Sequence, residues 1–486
     1  MLAAKALVVL ALTVSEALCG PVQAVLQASS TTKPRQLQGR FLQITDMHPD
    51  PYYTENTSTS KACHRKKPKN KKKRSGYYGT PHSLTNYTLD FLEKNWASHI
   101  DFVIWTGDNA RHDNDRKLPR TTNEIYELNQ AVAQKMEDAF ASKGIPVVPS
   151  LAVDGCPYTS PNDPGNLQLD WLEVQLEIFR ERNMQVWLTG HVPPSRGNYF
   201  PECYVRYVDL ALRYQDTIVG HLFGHMNADH FFFIEAIDLE LELDNQRATA
   251  EDVETADSAG LYDAIIEDFS KLPSTSKVNL DRFAVINVSP PVVPNPYLPT
   301  FRIFSYNVSG YETAGEQDKK KKKKKKKGGR KGPGHHRGDH GNKDVLCKEE
   351  PYSLSWKCHL SNDSWNSDPE APSRMNTLWS PTGYAQYYIP DLDDATSKKK
   401  HPHFKLEYTT YTAEMLTEAE DGERYPIPRK QLPKSLRNGT VSESKYAPYG
   451  MEDLTIPSWY ELAKRLGQGK SEKELQKQFR KYMYLL

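Results

Sequence analysis

The chain has little hydrophobic sequence and almost no net charge. Hydrophobic residues make up 38% of its 486 residues, and 63 basic side chains nearly balance 62 acidic ones. This low content predicts one compact domain that carries long polar insertions. The near-zero net charge indicates no class of partner, so only the distribution of charge along the chain is informative. The sequence also lacks internal repeats, which excludes a repeat architecture.

Long hydrophobic runs are missing as well. The run at 6–15 is free of charge but too short to cross a bilayer comfortably, and small residues follow at Ala17, Cys19 and Ala24. Residues 1–24 therefore predict a secretory signal peptide, with an uncleaved signal anchor as the alternative. Elsewhere the sequence does not approach spanning length, so we expect a lumenal or extracellular protein that meets a membrane only through such an anchor.

Cysteine is scarce, with six in the whole chain. Beyond the signal segment, our guess pairs Cys156 with Cys203 and Cys347 with Cys358, which leaves Cys63 over; sequence alone does not fix this connectivity. Sequons for N-glycosylation agree with a secretory route. They lie at Asn56, Asn86, Asn287, Asn307, Asn362 and Asn438.

Positive charge is concentrated in two runs, at 65–74 and at 319–327, the second inside a Lys- and His-rich segment at 315–345. Like charges repel, so these runs predict disordered insertions, and the acidic segment at 244–276 predicts another. The alternative for the basic runs is a collector for a polyanion. The Lys tract has no interleaved aromatic residues, so base stacking is unsupported and we expect no nucleic-acid partner.

Strand patterns alternate with helix patterns from residue 41 onward, which predicts a layered α/β core. Thr121 and Glu124 form a capping box at the start of one helix. The Tyr- and Pro-rich residues 346–486 are expected to pack on this core and to end in a helix near 458–486. The predicted strands are 41–45, 102–106, 145–151, 185–190, 217–224, 230–237, 283–289 and 300–307, and the other helices are 84–99, 167–183 and 204–214.

Polar side chains directly follow four of the predicted strands. Each motif alone is a chance event, but their order after apolar runs favours a metal centre, because strand ends of an α/β sheet converge at one crevice. Carboxylate and imidazole ligands together suit Mn, Fe, Zn or Co. The residues are Asp46 and His48 (D-X-H), Asp108 (GD), His191 (GH), and His225 and Asn227 (GHXN).

This ordered set resembles the calcineurin-like metallophosphoesterases, and more closely the fungal endopolyphosphatases beside the acid sphingomyelinase-like branch. The resemblance covers residues 40–310 and, more loosely, the C-terminal part. It implies a layered β-sandwich flanked by helices. The motifs that carry it are ITDMHPDPYY at 44–53, GDNARHD at 107–113, AVDGC at 152–156, GHVPPS at 190–195 and GHMNADHF at 224–231.

The resemblance implies a centre of two divalent ions, Mn, Mg, Co, Zn or Fe, that activate a bridging water for attack on phosphorus. The first ion would take Asp46, His48 and Asp108, with Asn227 where many members have a second His. The second ion would take His191 and His225, with Asp108 as the bridge. His112 lies where the superfamily places a His that contacts the phosphate or protonates the leaving oxygen.

For several other residues the sequence allows two different roles. Arg111 either clamps a phosphate or forms a salt bridge with Asp113. His221 and His230 are expected to be satisfied core histidines rather than ligands. The His-rich residues at 335–340 fit a disordered tract better than a metal site.

One family motif is missing after the third strand. In the family a Gly-Asn loop follows a Pro-Ser pair, and AVDGC comes much later. Here Leu151 runs directly into Ala152, which predicts an internal deletion after residue 151 that removed the Asn ligand. A mis-joined gene model or skipped exon is the leading explanation, and true divergence is the alternative. Asp154, Asn162 or Asn166 would be the replacement ligands.

The resemblance implies an endopolyphosphatase that hydrolyses internal phosphoanhydride bonds of inorganic polyphosphate. We expect it in a vacuole, in the lumen or as a single-pass type II membrane protein. The alternatives are a sphingomyelinase-like phosphodiesterase and an inactive polyphosphate-binding protein that has lost the third motif. The sequence leaves the oligomeric state open.

Overall fold

The computed structural model describes the chain in ten stretches, and the structural statements below concern these residues. They are 37–70, 82–150, 163–240, 258–294, 297–311, 368–392, 401–417, 426–437, 443–469 and 471–484.

Within these stretches, one mixed sheet has the strand order β10-β9-β8-β1-β2-β3. β1, β2 and β3 are parallel, whereas β8, β9 and β10 add antiparallel partners on the other side of β1. The C-terminal segment therefore completes the sheet that the N-terminal motifs begin. The strands are β1 (Arg40–Ile44), β2 (Phe102–Trp105), β3 (Val147–Pro149), β8 (Thr300–Tyr306), β9 (Pro381–Tyr388) and β10 (Lys405–Thr409).

A second mixed sheet in the described part of the chain has the order β4-β5-β7-β6. β4, β5 and β7 are parallel, and β6 is antiparallel to β7. The strands are β4 (Val186–Thr189), β5 (Ile218–Phe223), β6 (His230–Glu235) and β7 (Phe283–Val288).

Three of the helices, α1, α2 and α4, connect neighbouring parallel strands, as crossover connections require. Thr121 caps the second helix, because its side chain accepts a hydrogen bond from the Glu124 amide, as the sequence predicted. The helices are α1 (His82–Trp96), α2 (Thr122–Ala139), α3 (Pro164–Glu181), α4 (Pro201–Arg213), α5 (Ser258–Lys271), α6 (Ala413–Thr417), α7 (Lys434–Arg437), α8 (Ile456–Gly467) and α9 (Lys473–Tyr484).

The two sheets pack face to face, which confirms the layered α/β sandwich. Phe41 of β1 contacts Trp187 of β4 edge-on, with ring centroids 5.0 Å apart, and stacks on Phe304 of β8 at 5.1 Å. Gln43 of β1 also donates a hydrogen bond to the Phe223 carbonyl at the end of β5. This packing brings the ends of β1 and β5 together.

A buried ion pair joins the sheets beside that point. Arg302 of β8 is 1% exposed and pairs with Asp229, which precedes β6. Its guanidinium also donates to the Val288 carbonyl of β7 at 3.0 Å. The Asp229 amide donates to the Met483 carbonyl, so α9 is tied to the same place.

The remaining oxygen of Asp229 is satisfied from the first sheet. Gln386 donates both to Asp229 and to Glu407, each at 2.8 Å, and the Tyr408 hydroxyl donates to Asp229 as well. Successive side chains of a regular strand point to opposite faces of the sheet. Glu407 and Tyr408 nevertheless both contact the same group of polar side chains, because the register shift between Leu406 and Tyr408 marks a β-bulge.

The prediction of a disordered insertion at 244–276 was wrong for its second half. Residues 258–271 form helix α5, whose Ile265 and Phe269 are buried in the main core. Phe269 stacks on Phe231 of β6 at 5.0 Å. The acidic composition concealed the helical spacing of these apolar residues, which packing against β6 stabilises. Residues 241–257 lie outside the described residues.

The single C-terminal helix that we predicted near 458–486 is two helices. α8 ends at Gly467 and α9 begins at Lys473. Gly469, in the connection, has a φ of +62°, the left-handed conformation that commonly ends a helix. Both helices bury one apolar face in the main core.

The third strand is less buried than a core strand should be. β3 lies at the edge of its sheet, and Val148 is 37% exposed. Helix α3 also leaves an apolar stripe in solvent, formed by Leu167, Trp171 and Val174, of which Val174 is 56% exposed. Their spacing places them on one face of the helix. An edge strand and an apolar stripe of this kind are typical of surfaces that another element covers.

The described residues test part of the secretory predictions. Cys203 is disulfide-bonded, while its expected partner Cys156 lies outside the described residues, as do Cys347 and Cys358. Asn287 is 6% exposed inside β7. The prediction of a glycan at Asn287 was therefore wrong, because a buried strand residue cannot carry one. Asn56 and Asn86 are exposed.

The rest of the secretory assignment stays a prediction. Two of the sequon residues, Asn362 and Asn438, lie outside the described residues, as does the N-terminal segment at 1–24. Among the described residues, the helices are all too short or too polar to cross a membrane. The Lys tract at 319–327 also lies outside them.

The carboxyl group of Glu407 should make the stability of this fold depend on pH. Burial raises the pKa of Glu407 well above its ordinary value of 4.5, so the folded state keeps a proton that the unfolded state releases. We expect the free energy of unfolding to be highest below that value and to fall by at most about 1.4 kcal/mol per pH unit above it. Urea unfolding at about pH 5 and about pH 7 measures this fall, which should be shallower in Glu407→Gln.

The exposed residue Glu414 provides the matched control. Glu414→Gln should keep the pH dependence of the wild type. A Glu407→Gln variant with an unchanged pH dependence would contradict the prediction.

Candidate metal centre

The predicted ligands come from both sheets of the sandwich. Asp46 follows β1 and Asp108 follows β2 in the first sheet, whereas His191 follows β4 and His225 follows β5 in the second. The sequence predicted convergence at one crevice of a single sheet. Convergence is observed, but it arises because the packed sheets bring two sets of strand ends together.

Three of the ligands form a compact group. Asp46, Asp108 and His191 each offer an atom within 4.8 Å of the others. The Nε2 atom of His48 lies 3.5 Å from Oδ1 of Asp46 and 3.3 Å from Oδ2 of Asp108. The His225 ring lies against His191, with centroids 5.1 Å apart. Carboxylates and imidazoles at such spacing can hold a divalent cation.

Backbone carbonyls orient two of the imidazoles. Nδ1 of His48 is 2.7 Å from the Ala110 carbonyl, and Nδ1 of His191 is 2.8 Å from the Thr106 carbonyl. A proton on Nδ1 in each ring leaves the Nε2 lone pair directed into the centre, as for most metal-bound histidines. Sequence reasoning missed these supports, because a main-chain acceptor leaves no signal in residue type.

Four buried polar atoms at the centre have no hydrogen-bond partner within the described residues. They are Oδ1 of Asp46, Nε2 of His48, Nε2 of His191 and Oδ1 of Asn227. An unsatisfied buried polar atom costs about 1–3 kcal/mol, so native proteins rarely leave several side by side. Bound divalent cations would supply the missing partners, and the residues therefore fit a metal centre.

Backbone conformation singles out the same residues. Five of the six predicted ligands have a positive φ, between 38° and 69°. Residues other than glycine seldom adopt this region, and strain of this kind clusters at functional sites. The five are Asp46, His48, Asp108, His225 and Asn227.

The charges at the centre reinforce one another. Burial would raise the pKa of Asp46, but His48 and His191 lower it to about 2. Burial would likewise lower the pKa of both histidines, and the carboxylates of Asp46 and Asp108 raise it instead. The carboxylates are thus held in their ionised form, which is the form that binds a cation.

His112 lies at the open side of the centre. Its exposed imidazole stacks on His48, with ring centroids 4.1 Å apart. The loss of hydration on the ring face that stacks against His48, together with the neighbouring charge of His48, lowers the pKa of His112. The position fits a residue that meets substrate rather than metal.

Arg111 forms its polar contacts with other protein groups. Its buried guanidinium forms a two-pronged ion pair with Glu124 of α2 and also donates to the Leu118 carbonyl. Asp113, the ion-pair partner that we had considered, instead accepts a hydrogen bond from the Arg120 amide. These contacts disfavour substrate binding by Arg111, which orders the loop after β2.

Two further histidines are core residues, as expected. Nδ1 of His221 is 2.8 Å from the Tyr207 hydroxyl, and Nδ1 of His230 is 3.0 Å from the Ala228 carbonyl. Burial lowers the pKa of His221 to about 3 and that of His230 to about 4, so both are neutral.

The point after which the sequence predicts a missing third motif lies beside the centre. Ser150 follows β3, and its hydroxyl is 2.6 Å from that of Thr189 at the end of β4. Of the three replacement ligands, Asp154 and Asn162 lie outside the described residues. Asn166 is buried in the first turn of α3, where its carbonyl accepts from Arg206.

Gly224 should be essential for metal binding. A Cβ atom at this position would lie 2.1 Å from the Thr45 hydroxyl and 2.7 Å from Oδ2 of Asp46. We expect Gly224→Ala to displace the Asp46 carboxylate and to weaken metal affinity about 10- to 100-fold, as for other residues that support metal ligands. Calorimetric titration with Mn²⁺ measures the affinity.

Gly197 provides the control, because a Cβ there meets nothing within 4 Å. Gly197→Ala should bind Mn²⁺ like the wild type. If Gly224→Ala keeps the wild-type affinity and circular dichroism, the carboxylate position does not govern binding.

Comparison with curated proteins finds fungal endopolyphosphatases. One from Cryptococcus neoformans var. neoformans is 32% identical over 91% of this chain and 91% of its own length. One from Schizosaccharomyces pombe is 26% identical over 90% of this chain and 84% of its own, and one from Saccharomyces cerevisiae is 34% identical over 43% of each. No family model matches the chain.

The alignment with the Cryptococcus protein also bears on the missing motif. It runs over 626 positions, which is 140 more than the 486 residues of the chain. At least that many positions therefore face no residue of this chain, in agreement with an internal deletion. Identity above 30% across nine tenths of both proteins, together with the metal centre, shows that the chain belongs to the fungal endopolyphosphatase family of calcineurin-like metallophosphoesterases.

Proposed function

We propose that the chain is an endopolyphosphatase that uses two divalent cations to hydrolyse internal phosphoanhydride bonds of inorganic polyphosphate. The observation that carries the proposal is the group of buried, unsatisfied ligand atoms on Asp46, His48, His191 and Asn227. These ligands suit metal-dependent phosphoryl chemistry, and the names of the relatives supply the substrate.

Each ligand has a distinct task in this proposal. Asp46, His48 and Asn227 would hold one cation and His191 and His225 the other, and Asp108 would contribute to both. The side chain of Asp108 is 30% exposed, more than its neighbours, so it faces the opening through which substrate enters. Bound cations would neutralise phosphate oxygens and lower the pKa of water in the site.

His112 is the proposed proton donor to the leaving phosphate oxygen. It is exposed at the mouth of the centre and held flat against His48. A neutral imidazole at this place would be a poor acid, so the reaction should run best where His112 is protonated. An acidic vacuole would provide that condition.

A vacuolar location through the secretory pathway is the second part of the proposal. Support comes from the signal-like residues 1–24, as a cleaved peptide or a type II anchor, and from exposed sequons at Asn56 and Asn86. The disulfide at Cys203 also favours an oxidising compartment.

An assay with long-chain polyphosphate and Mn²⁺ tests the activity. We expect the purified chain to shorten the polymer on a gel and Asp108→Asn to lower the rate by at least about 100-fold, because that variant replaces a carboxylate that would hold the cations with a neutral amide. If the wild-type reaction leaves the polyphosphate as long as the Asp108→Asn reaction does, the proposal is wrong. A choline phosphodiester in the same assay addresses the sphingomyelinase-like alternative, which predicts turnover of that ester instead.

Polyphosphate binding without turnover is the second candidate, favoured by the missing Gly-Asn motif. If that Asn is absent, the second cation would have only three ligands, His191, His225 and Asp108. Metal analysis separates the two functions, since about two equivalents per chain indicate the enzyme and none indicates the binder.

The junction at Leu151–Ala152 generates its own prediction. The edge position of β3, the exposed stripe on α3 and the surplus of alignment positions all fit a segment lost from between them. Sequencing of the transcript across the codons for Pro149 to Cys156 should find a longer message that encodes a Gly-Asn loop after Ser150. A message that contains only the present junction would contradict this and favour the binder.

A further inference from the structure

A buried polar cluster connects two loops beside the metal centre. His64 lies between two carboxylates, with Nε2 2.9 Å from Oδ2 of Asp50 and Nδ1 2.8 Å from Oδ2 of Asp115. Arg65 adds a two-pronged ion pair to Asp115. The side chains of His64 and Asp115 are 2% and 3% exposed. We call Asp50, His64, Arg65 and Asp115 the clasp.

The clasp is attached to the metal centre on both sides. Asp50 follows the ligand His48 by two residues, and Asp115 follows His112 by three. Asp50 also accepts from the Tyr52 amide at 2.9 Å. The clasp therefore fixes the loop that follows β1 to the loop that follows β2, at the rim of the centre.

Four exposed cations extend from the clasp. Lys66 and Lys67 follow Arg65, and Arg116 and Lys117 follow Asp115. Because Arg65 binds Asp115 directly, each pair begins one residue away from that ion pair. We call Lys66, Lys67, Arg116 and Lys117 the rim patch.

The negative groups nearby do not cancel this patch. Arg65 already pairs with Asp115 within the clasp and holds the pKa of Asp115 below its usual range. Asp113 is the exposed carboxylate of the same loop and caps the Arg120 amide. Glu55 is the exposed carboxylate of the other loop. With Asp50 of the clasp counted as well, four cations against three carboxylates leave a net positive rim.

We propose that the rim patch is a binding subsite for polyphosphate, which holds phosphate units beyond the bond that is cleaved. The inference rests on the proposed function. One exposed ion pair contributes less than about 1 kcal/mol, but several cations on one polyanion release its condensed counterions together. A polyphosphate long enough to contact both the metal centre and the rim patch gains this favourable binding free energy. A short phosphate that occupies the metal centre alone does not.

Equilibrium binding tests the subsite. The background is Asp108→Asn, so that the probe stays intact, and the probes are long-chain polyphosphate and tripolyphosphate. Adding Lys66→Gln, Lys67→Gln, Arg116→Gln and Lys117→Gln should weaken long-chain binding by at least about tenfold at ~0.1 M salt. The slope of log affinity against log salt should shrink by roughly three for four lost contacts. Tripolyphosphate affinity should change by less than about twofold.

A matched variant removes four exposed lysines on other elements. Lys271, Lys430, Lys434 and Lys473 are exposed, and their change to Gln removes the same charge. This control should keep most of the long-chain affinity. Equal losses in both variants, or no loss in the rim variant, would overturn the subsite.

Failure of the subsite is distinguishable from failure of the proposed function. If the subsite is wrong, a rim variant with Asp108 intact cleaves long-chain polyphosphate with the KM of the wild type. If the proposed function is wrong, the wild type itself leaves the polymer unshortened. A subsite that works as proposed raises KM for the long chain and leaves kcat near the wild-type value.

Discussion

The buried ion pair of Arg302 with Asp229 is the interaction on which the metal centre depends. Arg302 belongs to the first sheet, while Asp229 closes the loop that carries His225 and Asn227 in the second. A buried charge left alone would cost several kcal/mol, so neither side chain can leave the other. Gln386 and Tyr408 satisfy what remains of the Asp229 carboxylate. The pair thereby fixes the distance between the two sets of strand ends.

Much of the centre could be predicted from the sequence, because its ligands follow apolar strand patterns at short, fixed distances. Asp46, Asp108 and His191 are brought together as expected. The pairing of Arg111 with Glu124 could not be foreseen, since it depends on how α2 packs against the loop after β2. The clasp was missed for the same reason, because its carboxylates and His64 come from separate loops. Contacts of this kind are set by tertiary packing and leave no periodic signal.

Fold prediction failed where composition and spacing disagreed. Acidic residues suggested disorder around helix α5, although Ile265 and Phe269 lie at helical spacing and bury in the core. The run at 145–151 suggested a core strand, but β3 is an edge strand. Its apolar residues are typical of a strand with neighbours on both sides, which agrees with the internal deletion predicted after residue 151.

The left-handed backbone at five ligands limits how this centre can change in evolution. Among residues with a side chain, Asn, Asp and His tolerate that conformation best, and these are the types found at all five positions. Glutamate or cysteine would offer the metal an equally good donor atom but would meet a steeper backbone penalty. The main chain, rather than the ion, therefore restricts the ligands to three short side chains, and a change of metal specificity must come from residues around them.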